Sequence, residues 1–174
     1  MTHQHLLWYV PSAVLTQIIN QIVYPFKEQT LKLFVIDARY NAMDVFKDEE
    51  YINEMAALID MAIELSENEL DDLENIRRLG EGWVAEETWA IALYCAIRHI
   101  DSVEDAIIAS VNHDGDSDST GSVCGNIMGA IYGYEHIKER NIFCPEGKQL
   151  EETLELSEII LALADGLSTG CIIS

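Results

Sequence analysis

Ten consecutive residues hold the groups best suited to chemistry: Asn112-His113-Asp114-Gly115-Asp116-Ser117-Asp118-Ser119-Thr120-Gly121. Three aspartates alternate along the run and a pair of hydroxyls follows them. Carboxylates and hydroxyls are hard oxygen donors, a set that suits Mg²⁺, Mn²⁺ or Ca²⁺ rather than zinc or copper. The run reads as a metal-binding loop on a buried helix. A plainer reading stands beside it: with 31 acidic residues in 174, such triplets also arise on solvated faces, and Asp and Ser favour turns for local reasons. A calcium EF-hand starting at Asp114 fails, because its sixth position is Ser119 and its twelfth is Gly125.

A second stretch, Gly80-Glu81-Gly82-Trp83, breaks the helical pattern ahead of another apolar helix. A lone G-x-G without a preceding strand or third glycine excludes a Rossmann fingerprint. It offers a backbone free of Cβ atoms at a helix N-terminus, where N–H groups can meet an anion or ligand. A tight turn between helices explains it equally well. His3 and His5 stand at i and i+2, and chain-end histidines of this kind read first as solvated side chains.

The elements that must carry these stretches are helices throughout. Pro11 is expected to open the first, with Val14, Leu15, Ile18, Ile19, Ile22 and Val23 as its apolar face. Thr30 to Phe46 and Glu49 to Leu65 follow, with Leu31, Phe34, Val35, Ala38, Ala42 and Val45, then Ile52, Met55, Ala56, Ile59 and Ile63, turned inward. The acidic stretch from Ser66 to Arg78 reads as a solvated linker or short helix. Val84 to Arg98 forms a helix after the Gly-Trp turn. Ser102 with Asp105 approximates a capping box for the helix that enters the aspartate loop. Ser119 or Thr120 is then expected to cap a helix bearing Gly121, Gly125, Gly129 and Gly133, a stripe that lets another backbone pack close. A last helix is expected from Gln149 to Leu167. No strand-like alternation and no solenoid repeat occurs.

Length and composition fit one all-α domain over residues 1–174, with 49% apolar residues and three prolines. A formal net charge of −21 argues against nucleic acid or an anionic membrane as a partner. No apolar run approaches the roughly 20 residues that span a bilayer, and no leader is visible. Cys95 and Cys124 read as small core residues of a reduced, cytoplasmic protein. Cys171-Ile172-Ile173-Ser174 fits a prenylation pattern but lacks the upstream basic run that would support anchoring.

Taken together, Gly80 to Glu87, Ala92-Leu93-Tyr94, Asn112 to Gly121, and Gly125, Gly129, Ala130 and Gly133 resemble the C-terminal half of the ADP-ribosylglycohydrolase family, of the type that releases ADP-ribose from dinitrogenase reductase. The resemblance implies an all-α orthogonal helical bundle with a binuclear Mg²⁺ or Mn²⁺ centre. It assigns Asp116, Asp118 and Ser119 to metal, with Gly115 leading in. It places Gly80, Gly82 and Trp83 along an ADP-ribose cleft and brings His3 towards the ligand. The implied chemistry is metal-assisted hydrolysis of the glycosidic bond between ADP-ribose and a modified side chain.

The family's N-terminal segment, with its catalytic glutamate and Thr-Asp-Asp metal motif, has no counterpart here. Asp71-Asp72 and Asp48-Glu49-Glu50 stand in the wrong order and context. No catalytic acid or base can be named, so these residues alone are expected to hydrolyse slowly or not at all. The alternatives are a non-catalytic ADP-ribose and Mg²⁺ binding module, or a fragment whose apolar helix faces self-associate or await a complementing chain.

Overall fold

The computed structural model describes residues 6–140, 144 and 148–169. Among them ten helices occur and no strand, so the class is all-α as expected. They fall into two compact units, Met1–Gly133 and Tyr134–Ser174. The first holds α1 (Leu6–Val23), α2 (Leu31–Val45), α3 (Ile52–Ser66), α4 (Asp72–Leu79), α5 (Ala85–Arg98), α6 (Val103–Val111) and α7 (Ser117–Tyr132). The second holds α8 (Tyr134–Arg140), α9 (Leu150–Thr153) and α10 (Ser157–Thr169).

Helix α5 is the hub of the first unit. Every residue from Thr88 to Ala96 is buried, as expected of a helix that is apolar on all sides. It packs against α1, α3, α4, α6 and α7. Its C-terminal end is fastened to α4 by polar groups. Tyr94 donates its hydroxyl proton to Asp72 at 2.6 Å and accepts from the Asn75 amide at 3.1 Å. His99 Nε2 and Arg98 Nε reach the same carboxylate at 3.0 and 3.1 Å. Asp71 caps α4 through the Glu74 N–H at 2.8 Å. The Asp71-Asp72 pair is therefore a structural fastening, and the acidic stretch is the short helix rather than the linker of the two readings offered.

Several boundaries depart from expectation. Helix α1 starts five residues before Pro11, which lies inside it. Val10, Val14 and Ile18 form one buried row at i, i+4 and i+8, and burial of that row outweighs the backbone bond that proline removes. Helix α3 begins at Ile52, after Tyr51 in the left-handed region at φ 70°. The final helix is broken: α9 ends at Thr153, Leu156 takes φ 58°, and α10 begins at Ser157. Ser102 caps α6 through the Asp105 N–H, as the sequence indicated, and Thr30 caps α2 through the Leu33 N–H.

Helix α7 buries Thr120, Cys124, Ile127 and Met128, a row adjacent to its glycines. A Cβ at Gly121 would meet Val111 at 2.6 Å, whereas at Gly129 and Gly133 nothing lies within 4 Å. The stripe thus serves close packing at one end only.

Candidate functional site

The Gly80–Trp83 turn and the aspartate loop are two sides of one structure. Asp116 N–H donates to the Glu81 carbonyl at 2.8 Å, tying the turn before α5 to the loop before α7. Gly115 lies so tightly against the turn that a Cβ there would stand 1.7 Å from the Glu81 oxygen. This is the close backbone approach for which glycine is needed. Gly82, at φ +82°, faces Thr120 and the Asp116 carbonyl across the same seam.

The turn is held from behind by the first turn of α5. Both the Glu81 and Gly82 N–H groups donate to Glu87 Oε2 at 3.1 Å, and Thr88 Oγ1 donates to the Gly82 carbonyl at 2.6 Å. The loop is held by its own side chains. His113 Nδ1 accepts the Gly115 N–H at 3.1 Å, so the ring proton sits on Nε2, which donates to Thr120 Oγ1 at 2.9 Å. The fully buried Thr120 donates its hydroxyl hydrogen bond to the Ser110 carbonyl at 2.6 Å. Helix α7 begins at Ser117 with Asp116 at its N-cap, so Thr120 is a buried clasp one turn inside and neither it nor Ser119 is the cap.

Asp116, Asp118 and Ser119 converge. The Asp118 carboxyl beside it, then the Ser119 hydroxyl, hold the Asp116 carboxyl below its ordinary value. Two carboxylates and a hydroxyl on one helical turn fit a single, partly hydrated Mg²⁺ or Mn²⁺, which accepts few protein ligands and keeps water. Among the described residues no group of three or more His, Cys, Asp or Glu stands where it could hold a metal ion. Asp114 turns away and pairs with Arg77 at 2.9 Å on the open surface.

A cleft of about 340 Å³ opens beside this loop, between α1, α5 and α7. Asp116, Ser119, Trp83, Trp89, Thr88 and Ser12 are among its lining residues. Trp83 is 66% exposed at its edge, its indole N–H held by Glu81 at 3.1 Å. Val84 and Ala85 bring the N-terminus of α5 to the cleft, and no side chain caps that helix end. An uncapped helix end of this kind stabilises an anion placed against its first N–H groups.

Of the residues singled out in sequence, Gly80, Gly82, Trp83, Gly115, Asp116, Asp118 and Ser119 lie on the two joined segments; His3 lies outside the described residues. Sequence reasoning missed the roles of Glu87, His113 and Thr120. The signal for Glu87 was present: a Gly-x-Gly turn leaves backbone N–H groups, here those of Glu81 and Gly82, in need of an acceptor, and a first-turn glutamate is well placed to supply one. His113 and Thr120 find partners within ten residues of themselves, but helix-cap chemistry suggested only an N-cap for Thr120 and gave His113 no role.

The chain matches the ADP-ribosylglycohydrolase family over residues 1–170. Human ADP-ribosylhydrolase ARH3 is 28% identical over 115 residues, a stretch covering 60% of this chain and 30% of that protein. No solved structure matches. Among the described residues no helix is long and apolar enough to cross a membrane. With the family match running over almost the whole sequence and the joined Gly-Trp and aspartate segments within it, the chain belongs to the ADP-ribosylglycohydrolase family.

Proposed function

We propose that the cleft between α1, α5 and α7 binds ADP-ribose, free or on a modified protein side chain, with a divalent cation on Asp116, Asp118 and Ser119. The observation that carries this is the joining of the two segments: Asp116 and Trp83 line one cleft, and the Asp116–Glu81 bond fixes them to each other. The uncapped α5 N-terminus suits the diphosphate. The exposed face of Trp83 suits a stacked ring. A bound cation would supply Lewis acidity towards the sugar hydroxyls.

Among the described residues lining this cleft, Asp116 is the only ionisable side chain. Glycoside hydrolysis ordinarily uses two carboxyl groups, one as acid and one as base or nucleophile. Binding is therefore the stronger function of these residues, and hydrolysis of the ADP-ribose linkage is slow unless a further group joins the cleft. Such a group would come from a residue outside the described cleft lining, from a complementing chain or from a second copy.

Calorimetry with ADP-ribose, with and without MgCl₂, tests the reading, alongside an assay of ADP-ribose release. Saturable binding that tightens with Mg²⁺ is expected, with Asp116→Ala losing the Mg²⁺ effect. Absence of binding under both conditions would overturn the cleft assignment. Fast Mg²⁺-dependent release by the isolated chain would overturn the impairment alone.

A further inference from the structure

Glu81 spends its polar groups on three different parts of the site. Its backbone N–H donates to Glu87 Oε2 at 3.1 Å, and its carbonyl accepts the Asp116 N–H at 2.8 Å. Its carboxylate Oε2 accepts the Trp83 indole N–H at 3.1 Å. The two backbone bonds fix the residue between α5 and the aspartate loop. Gly115 presses on it as well, since an added Cβ there would stand 2.9 Å from the Glu81 Cα. The third bond therefore ties an exposed ring to a fixed point. An indole carries one donor and no acceptor, so this contact uses the whole polar capacity of the ring. Trp83 lines the cleft, whereas Glu81 is not among the described residues that line it.

We infer that Glu81 is a positioning residue whose carboxylate holds the Trp83 ring against the aspartate loop and, through that ring, selects ligands that carry a planar base. The inference rests on the cleft being the ADP-ribose site proposed above and adds how the base is chosen. With its N–H bound to Glu81, Trp83 offers a ligand only its π system, which favours a flat aromatic ring over a sugar or a phosphate. A ring left free on an exposed turn would lose rotamer freedom each time a base stacked on it. A ring already held by Glu81 avoids much of that cost, the gain that preorganisation brings to binding. Because Glu81 also holds Asp116 through its carbonyl, the cation side and the ring side of the cleft keep a set spacing.

Glu81→Ala keeps both backbone bonds and releases only the ring. In calorimetry with ADP-ribose and Mg²⁺ its affinity is expected to fall about fivefold, the effect of one hydrogen bond. Glu81→Gln, whose amide oxygen also accepts the indole proton, is expected to bind within twofold of the parent. Trp83→Ala tests the route: once the ring is gone, adding Glu81→Ala is expected to change affinity no further. Additive losses in that cycle, parent-like binding by Glu81→Ala, or no rescue by Glu81→Gln would overturn this inference and leave the cleft assignment standing. No ADP-ribose binding by the parent would remove both. Should a variant fail to fold or bind too weakly to titrate, the ligand-free parent decides. Its Trp83 indole ¹⁵N–{¹H} NOE is expected to match the ordered backbone, and a mobile indole there would overturn the inference.

Discussion

Gly115 shows how little room the site allows at the level of single residues. Any side chain there enters the space of the Glu81 carbonyl, so the two segments must part or the loop must distort. Gly115→Ala is expected to destabilise the first unit by about 1–3 kcal/mol, the usual range for overpacking. It should also weaken Mg²⁺-dependent ADP-ribose binding more than its stability change explains, because Asp116 moves with the loop. Urea denaturation and calorimetry on the same variant separate the two effects; unaltered stability and binding would refute the tight seam. His113 acts through different physics. Its ring bridges the Gly115 N–H and the Thr120 hydroxyl, so His113→Ala leaves two polar groups to find new partners. A stability loss of about 1–2 kcal/mol is expected, measured by the same denaturation.

At the scale of elements, α5 determines what the neighbouring segments can do. Its N-terminal turn holds the Gly-Trp turn through Glu87 and Thr88, and its C-terminal end is locked to α4. The lock centres on the fully buried Asn75, whose amide exchanges hydrogen bonds of 2.8 Å with Asn68 and donates to Tyr94. Asn75→Leu would strand both partners. A loss of about 2–4 kcal/mol follows from several unsatisfied buried groups, visible as a lower urea midpoint, with the cleft at the other end of α5 keeping its ADP-ribose affinity. Much of this layout was legible. Ser102 and the inward rows of α2 and α3 are local signals that burial then reinforces, except at Val45, which is exposed. The failures have a common cause. Pro11 inside α1 is the outcome of competition between local preference and packing, and the bond from Asp116 to Glu81 joins residues that sequence distance gives no reason to pair.

For the whole molecule, the acidic loop was the most readable feature, and the buried chemistry behind it the least. Composition gave the charge of −21 and the apolar fraction, but not which groups would be buried beside one another. Cys124 is an example: burial pushes its thiol up from 9.0 to about 12. Burial, then the neighbouring Cys124, raises Cys95 well above the ordinary thiol value. Burial, then the hydrogen bond to Asp72, raises Tyr94. All three are acids whose folded-state pKa lies above the unfolded one. The stability they contribute is therefore complete below about pH 9 and is lost as pH rises towards their folded values. Over that window each buried thiol lowers stability by about 1.4 kcal/mol per pH unit, and the growing negative charge acts in the same direction. The melting temperature should therefore fall steeply from pH 9 to pH 11 and much less between pH 7 and pH 8.5. Cys124→Ala starts from a lower melting temperature because of the space it leaves, yet its decline across pH 9–11 should be shallower. Parallel declines in the two proteins would mean that the Cys124 thiol ionises as easily folded as unfolded, and the packing of α5 on α7 around it would have to be looser than described.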